Sequence, residues 1–383
     1  MRRVYMDANA TTPLVPEVLE AMRPFFLEQF GNASSIHFHG QQARAAVERA
    51  REQVAQLLNS RPAEIVFTSG GTEGDNLALF GLVKPGEHLI TTSIEHHAVL
   101  HSAERLAERG ASVTYLPVNS EGVIDPDDVR RSIRPETKLI SVMMANNETG
   151  AIQPVEEIGR IAAESDVYFH TDAVQTAGKL PIDVKAIACD LLTISGHKMH
   201  GPQGTGALFV RRGTKIEPLF FGGSHERQRR AGTENLPGVV GLGKAAELAR
   251  KGLQEDTPQR LGGLRDRLEA GILAQIREAG VNGGGTSRVG NTSNLWFDHL
   301  EGEALVIALD LKGLAVSGGS ACQSGSTEPS HVLTAMGLSA ARARASLRFS
   351  LTKDASEADV DFALELVPAA VSRLRALSPT FAH

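Results

Sequence analysis

Cysteine is scarce in this 383-residue chain, which holds only Cys189 and Cys322, and aromatic residues make up just 5% of it. Two thiols exclude a disulfide framework and a four-cysteine metal site, so each cysteine needs its own account. Long apolar runs are missing too. No uncharged stretch is long enough to span a bilayer, and the arginines at positions 2 and 3 are not followed by the apolar segment of an export signal, so the chain reads as cytoplasmic. Neither sign of charge prevails: 39 basic against 45 acidic residues leave −6, which argues against a broad nucleic-acid or anionic-membrane footprint. Glycine is plentiful instead, at 38 residues against a usual share of about 7%. Its clusters mark sharp turns and close backbone approaches.

From Glu64 to Val210, short β-branched runs alternate with helical patterns: EIVFT (64–68), HLITTS (88–93), SVTYLPV (112–118), KLISVMMA (138–145), VYFHTD (167–172), DLLTIS (190–195) and GALFV (206–210). Their apolar character is nearly continuous, as in strands covered on both faces, which predicts a mainly parallel sheet flanked by helices. Sites in such sheets form at the carboxyl ends of strands. Here those ends run into SGGTEGDN, IEHH, NNETG, TDAVQ and SGHKMHGPQG. Beyond Gly232 we expect long helices over GVVGLGKAAELARKGLQ and QRLGGLRDRLEAGILAQIREAG. A smaller α/β region follows, with strands near NTSNLWF and SLRFSL and helices near GEALVIALDLKG and EADVDFALELVPAAVSRLRAL.

The loop Ser69 to Thr72 precedes the apolar helix pattern NLALFGLV. N–H groups at such a helix start bind phosphate; a capped glycine turn is the plainer alternative. GVVGLGKA (238–245) nearly matches a nucleotide-binding loop, but Ala245 lacks the hydroxyl that would hold magnesium and no strand precedes it. Lys198, just past a predicted strand, is placed to form a Schiff base with a carbonyl cofactor. Pyridoxal phosphate is the natural candidate, since it needs a phosphate cradle, a lysine and a carboxylate for its pyridine nitrogen. Asp172 can supply that carboxylate, with Gln175 one helical turn on. Seen singly, Lys198 would be a surface lysine and Asp172 a helix cap; their joint arrival at strand ends favours a site. His97 and His101 share a helical face, yet no glutamate completes a metal-binding HExxH pair, so no metal is expected. His96 is better used stacked on a cofactor ring and moving protons. Cys322, in the Gly/Ser-rich AVSGGSACQSGSTEPSHVL, reads as an exposed loop thiol and Cys189 as a small buried hydrophobe.

Ten ordered stretches carry a family resemblance: YMDANATTP, GNASSIH, SGGTEGDN, EHHAVL, NNETGAIQP, HTDAVQ, SGHKMHGPQG, RRAGTEN, SGGSACQSGSTEPSHVL and ASLRFSL. They run from Tyr5 to Leu351, and over nearly its whole length the chain closely resembles the pyridoxal-phosphate-dependent cysteine desulfurases whose nucleophilic cysteine lies on a long loop. The resemblance implies the fold-type I architecture, with a mainly parallel seven-stranded sheet. We expect a large domain at residues 15–255 and a smaller α/β domain from residues 1–14 and 256–383, carrying the cysteine loop at about 317–331.

By the same resemblance, Lys198 would hold the cofactor covalently, Asp172 would pair with the pyridine nitrogen and Gln175 would touch the ring hydroxyl. His96 would stack on the ring, with Asn147 beside it meeting both cofactor and substrate. Thr72, Ser195 and His197 would bind the phosphate, joined by Thr233 from the other subunit of a homodimer. Arg348 would clamp the substrate carboxylate, a role that suits a guanidinium fork. Cys322 matches the catalytic cysteine, which takes sulfur from L-cysteine as a persulfide, leaves L-alanine, and passes the sulfur to an acceptor such as an iron–sulfur scaffold. Ala33, Gln203, Gly318 and Thr352 stand where the family usually has proline, lysine, serine and glycine; none is a catalytic group. Still open are a selenocysteine lyase, a β-lyase or an aminotransferase on the same cofactor. A non-enzymatic sulfur carrier is the alternative of another class, which the intact Lys198 argues against.

Overall fold

The computed structural model describes residues 2–318 and 328–377; Cys322 and most of its expected loop lie outside the described residues. All seven predicted strands form: β1 Ile65–Thr68, β2 His88–Thr92, β3 Ser112–Leu116, β4 Thr137–Ser141, β5 Tyr168–Asp172, β6 Leu191–Ser195 and β7 Gly206–Val210. They join one sheet in the order β1-β7-β6-β5-β4-β2-β3, in which β7 alone is antiparallel to its neighbours.

The near-continuous apolar runs have a direct physical reading. Successive strand residues point to opposite faces, and each face has its own core. Val66, Leu89, Leu139, Leu191 and Leu208 pack on one side, under helices α2 Gly71–Leu82 and α3 His97–Glu108. Ile65, Phe67, Ile90, Ile140, Leu192, Ile194 and Phe209 pack on the other, under helices that include α1 Phe38–Leu57 and α4 Leu236–Gln254. At about 25 cal/mol per Å² of apolar surface removed from water, burial on both faces makes the central strands the best-anchored part of the chain. Only the edge strand β3 is partly exposed along its length.

The glycines of GVVGLGKA lie inside α4 and serve packing. A Cβ on Gly243 would sit 2.6 Å from the Ala50 Cα, so its absence lets α1 and α4 touch.

A second core gathers Val4 and Met6 with residues from Leu261 to Val371. Its sheet is antiparallel and includes Ala279–Val281, Thr292–Phe297 and Ser346–Ser350. One expectation changes here. The helical pattern predicted through IREAG stops at Gln275, and Ala279–Val281 instead pairs with Leu295–Phe297. A free partner edge outweighs helix propensity over so short a segment.

Candidate functional site

The strand order brings five loaded strand ends to one rim. A cavity of about 280 Å³ there is lined by Thr72, His96, Asn147, Asp172, Gln175, Ser195, His197, Lys198 and Arg348, together with Asn9, Ala10 and Asp75. Nine of the predicted site residues therefore converge. Two do not: Thr233 is exposed in the loop before α4 and does not line the cavity, and Cys322 lies outside the described residues.

Each side chain owes its place to a local device. Lys198 ends the short 3₁₀ turn Gly196–Lys198 directly after β6, and its Nζ donates to the carbonyls of Asn9 and Ala10, the latter at 2.7 Å. That turn is fastened by the N-terminal segment: the Thr12 N–H and hydroxyl both donate to the His197 carbonyl, at 2.8 and 2.9 Å, and His197 Nδ1 meets the Thr11 hydroxyl at 3.1 Å. Asp172 closes β5, where its Oδ1 accepts the Val174 N–H at 2.8 Å. Burial raises the Asp172 carboxyl to about 6, while the Val174 N–H and nearby Lys198 pull the other way. His96 caps α3: its Nδ1 accepts the Ala98 N–H at 3.1 Å. Burial and the Lys198 charge lower its imidazole to about 4. The ring is therefore neutral near pH 7, with Nδ1 as acceptor and the proton on Nε2.

Arg348 enters from the small sheet. Its Nη2 pairs with Asp7 at 2.8 Å, its Nη1 donates to the Asn147 carbonyl at 3.1 Å, and its Nε has no protein partner among the described residues. A buried guanidinium with an unused N–H at the cavity wall suits a carboxylate-bearing ligand.

Sequence reading missed three features. Asn9, hidden in the motif YMDANATTP, bridges several distant segments: its N–H donates to Ser350 Oγ at 2.9 Å and its Nδ2 to the Asn147 carbonyl at 3.1 Å and Thr292 Oγ1 at 2.9 Å. Polar residues alternating with alanines, as Asp7-Ala8-Asn9-Ala10-Thr11, were the only available signal. Asp75 and Glu95 are buried beside Asp172 and the three repel one another. Burial and the Asp172 charge push the Asp75 carboxyl well above the usual carboxylate range. His170, which sits 3.6 Å from Asp75, is driven by burial to about 3, so its ring is neutral and that contact is not an ion pair. Third, His331 joins His97 and His101, with ring centroids 4.8 Å from His97.

Glu95 yields a stability prediction. Burial raises it to about 8, against hydrogen bonds from the Met143 N–H at 2.9 Å and the Thr92 hydroxyl at 2.8 Å, and its Oε2 has no partner among the described residues. A carboxyl whose folded value is raised binds more protons folded than unfolded, so stability falls as pH climbs from about 4.5 to about 8. Glu95→Gln removes that loss. Urea unfolding should show the variant gaining on the parent between pH 5 and pH 8, by on the order of 4 kcal/mol; parallel curves would contradict it.

The residues fit pyridoxal phosphate. The first N–H groups of α2 at Gly71 and Thr72 lack intrahelical partners and meet Ser195 and His197 across the cavity, giving a cradle for phosphate. Its tightness is built in, since a Cβ on Gly71 would lie 2.8 Å from Val174. Asp172 and Lys198 share the same space, and His96 supplies a flat neutral ring.

Residues 4–362 match the aminotransferase class-V family. A protein named cysteine desulfurase IscS from Methanosarcina thermophila is 52% identical over 99% of this chain and 94% of its own length. Among solved structures, a NifS-like protein superposes with a TM-score of 0.89 at 38% identity, covering 97% of this chain and all of that one. SspA, solved in complex with cysteine, gives a TM-score of 0.80 at 39% identity over 91% of this chain and 98% of its own.

Proposed function

The chain belongs to the aminotransferase class-V family, and from that membership we propose that it is a pyridoxal-phosphate-dependent cysteine desulfurase, converting L-cysteine to L-alanine with transfer of sulfur to Cys322. The observation that carries this reading is the single cavity uniting Lys198, Asp172, His96 and Arg348. In it, Lys198 would attach the cofactor, Asp172 would hold the pyridine nitrogen protonated, Gln175 would meet the ring hydroxyl, and Thr72, Ser195 and His197 would bind the phosphate. When bound, pyridoxal phosphate supplies an electron sink conjugated to the substrate's α-carbon.

The chain's own groups do the rest. Arg348, held by Asp7 and beside Asn147, orients the substrate carboxylate. Lys198 moves the proton at the substrate Cα, and neutral His96 offers its Nε2 proton. Cys322 Sγ, as thiolate, attacks the substrate sulfur: an S–S bond forms, the C–S bond breaks with its electron pair passing to the carbon side, and a proton there completes alanine. The enzyme keeps a persulfide.

We further assign residues 15–255 to the large domain and 1–14 with 256–383 to the small one, a division that the two separate cores support. A homodimer with Thr233 reaching the partner's phosphate site is supported by the exposed apolar side chains Phe26, Leu27, Phe30, Ile36, Phe38 and Phe221. We place the reaction in the cytoplasm, with an iron–sulfur scaffold as acceptor.

Purified protein given one equivalent of L-cysteine should yield equal amounts of alanine and of a mass increase of one sulfur on the peptide holding Cys322. Pyruvate in place of alanine would overturn the assignment in favour of a β-lyase.

A further inference from the structure

Lys179 stands four residues beyond Gln175, where its stem lines a cavity of about 310 Å³ behind Lys198 while its Nζ turns inward. There it donates to Asn9 Oδ1 and to Gln175 Oε1, both at 2.9 Å, and among the described residues no carboxylate is one of its hydrogen-bond partners. Burial, with Lys198 and Arg348 nearby, depresses its ammonium well below the usual lysine range. A lysine in so unfavourable a setting is doing something that an apolar residue of its size would not.

The hydrogen bonds say what. The Gln175 carboxamide is held from both ends, its Nε2 donating to the Asn9 backbone carbonyl at 3.1 Å, which can only accept, and its Oε1 accepting from Lys179, which can only donate. Asn9 is fixed in the same way: Nδ2 faces the Asn147 carbonyl, and Oδ1 receives both Lys179 and the Asn291 Nδ2, the latter at 3.1 Å. The Asn9 carbonyl that accepts from Gln175 also accepts from Lys198. Among the described residues the second Nε2 proton of Gln175 has no protein acceptor, and Gln175 lines the catalytic cavity.

We propose that Lys179 is a positioning residue that locks the Gln175 carboxamide so that it presents an N–H, never its oxygen, to the cofactor's ring oxygen. This rests on the pyridoxal-phosphate reading of the site. A fixed donor there stabilises the ring oxygen as its anion and so weakens that anion's hold on the imine proton at Lys198. Other charged or titratable groups that act on Lys198, among them Asp172, His96 and His197, are left in place when Lys179 is changed.

The test is a pH titration of the visible absorption of the holoenzyme with cofactor bound at Lys198, in the wild type, Lys179→Met, Gln175→Leu and the double variant. Lys179→Met is expected to raise the midpoint by about half a unit or more. The double variant is expected to shift no further than Gln175→Leu alone. Should Lys179→Met not fold, Lys179→Gln, too short to reach both oxygens, is expected to raise the midpoint likewise. An unchanged midpoint overturns the proposal, as do additive shifts, which would mean that Lys179 acts by its charge and not through Gln175. A wild-type protein with no visible band overturns the cofactor reading itself.

Discussion

Lys198→Ala should abolish turnover of L-cysteine, with a loss of at least about 10³-fold, and should remove the visible band of the bound cofactor. Two functions vanish together: the covalent anchor and the group that moves the substrate's α-proton. The Asn9 and Ala10 carbonyls lose their shared donor as well, so the N-terminal segment loosens over the cavity. Cys322→Ser separates the steps. That variant should keep the colour, respond to added L-cysteine with a spectral change, and form no persulfide. Spectra and intact-protein mass on both variants check this; a persulfide on Cys322→Ser would remove Cys322 from its assigned role, and turnover by Lys198→Ala would do the same for the lysine.

The second large effect is on stability. Arg51 and Glu226 form a buried two-pronged ion pair, at 2.7 and 2.8 Å, with side chains only 4% and 3% exposed. Glu226 Oε2 also accepts the Phe67 N–H of β1 at 3.0 Å. Glu226→Ala strands a guanidinium and an N–H away from water, which should cost about 3 to 5 kcal/mol. Arg51 keeps the Ile65 carbonyl and Glu48, so the lower part of that range is expected. The pair also pins an awkward loop, for Glu226, Arg227 and Gln228 all hold left-handed φ values of 45°, 56° and 66°. Conformations of this kind cost non-glycine residues roughly 1 to 2 kcal/mol each, so the loop relaxes once its pin is removed. Replacing both partners, as Arg51→Met with Glu226→Leu, should restore most of the stability while leaving cofactor affinity reduced, because Thr233, proposed above to reach the partner's phosphate site, follows on that loop. Denaturant unfolding and cofactor titration of the parent and the two variants decide it. A Glu226→Ala protein as stable as the parent would show that the pair is neutral.

The sheet was legible because both of its faces are covered, and burial on both sides writes an unbroken apolar run into each strand. Asp172, Lys198 and His96 were legible for a related reason: polar residues that end such runs have nowhere to be but the rim. Asn9 was not, since its importance lies in contacts to Asn147, Thr292 and Ser350 that no local pattern encodes. Arg51 and Glu226, 175 positions apart, carry no local pattern that marks them as partners, and only the fold buries them together. The Ala279–Val281 strand was hidden by the same logic in reverse, its local helical pattern giving way to a partner supplied by Leu295–Phe297.

The bridging role of Asn9 has a consequence for how the protein is made. Its partners Asn291, Thr292 and Ser350 lie 282, 283 and 341 positions downstream. Synthesis runs from the amino end, so the residue that steadies Lys198 leaves the ribosome well before its partners and must wait for the 341 residues up to Ser350 before it can settle. Contacts closed over such distances form late, after local helices and neighbouring strands. A nascent chain therefore carries its lysine, its aspartate and its phosphate loop well before it can use them, and the site becomes competent only as the final strand docks.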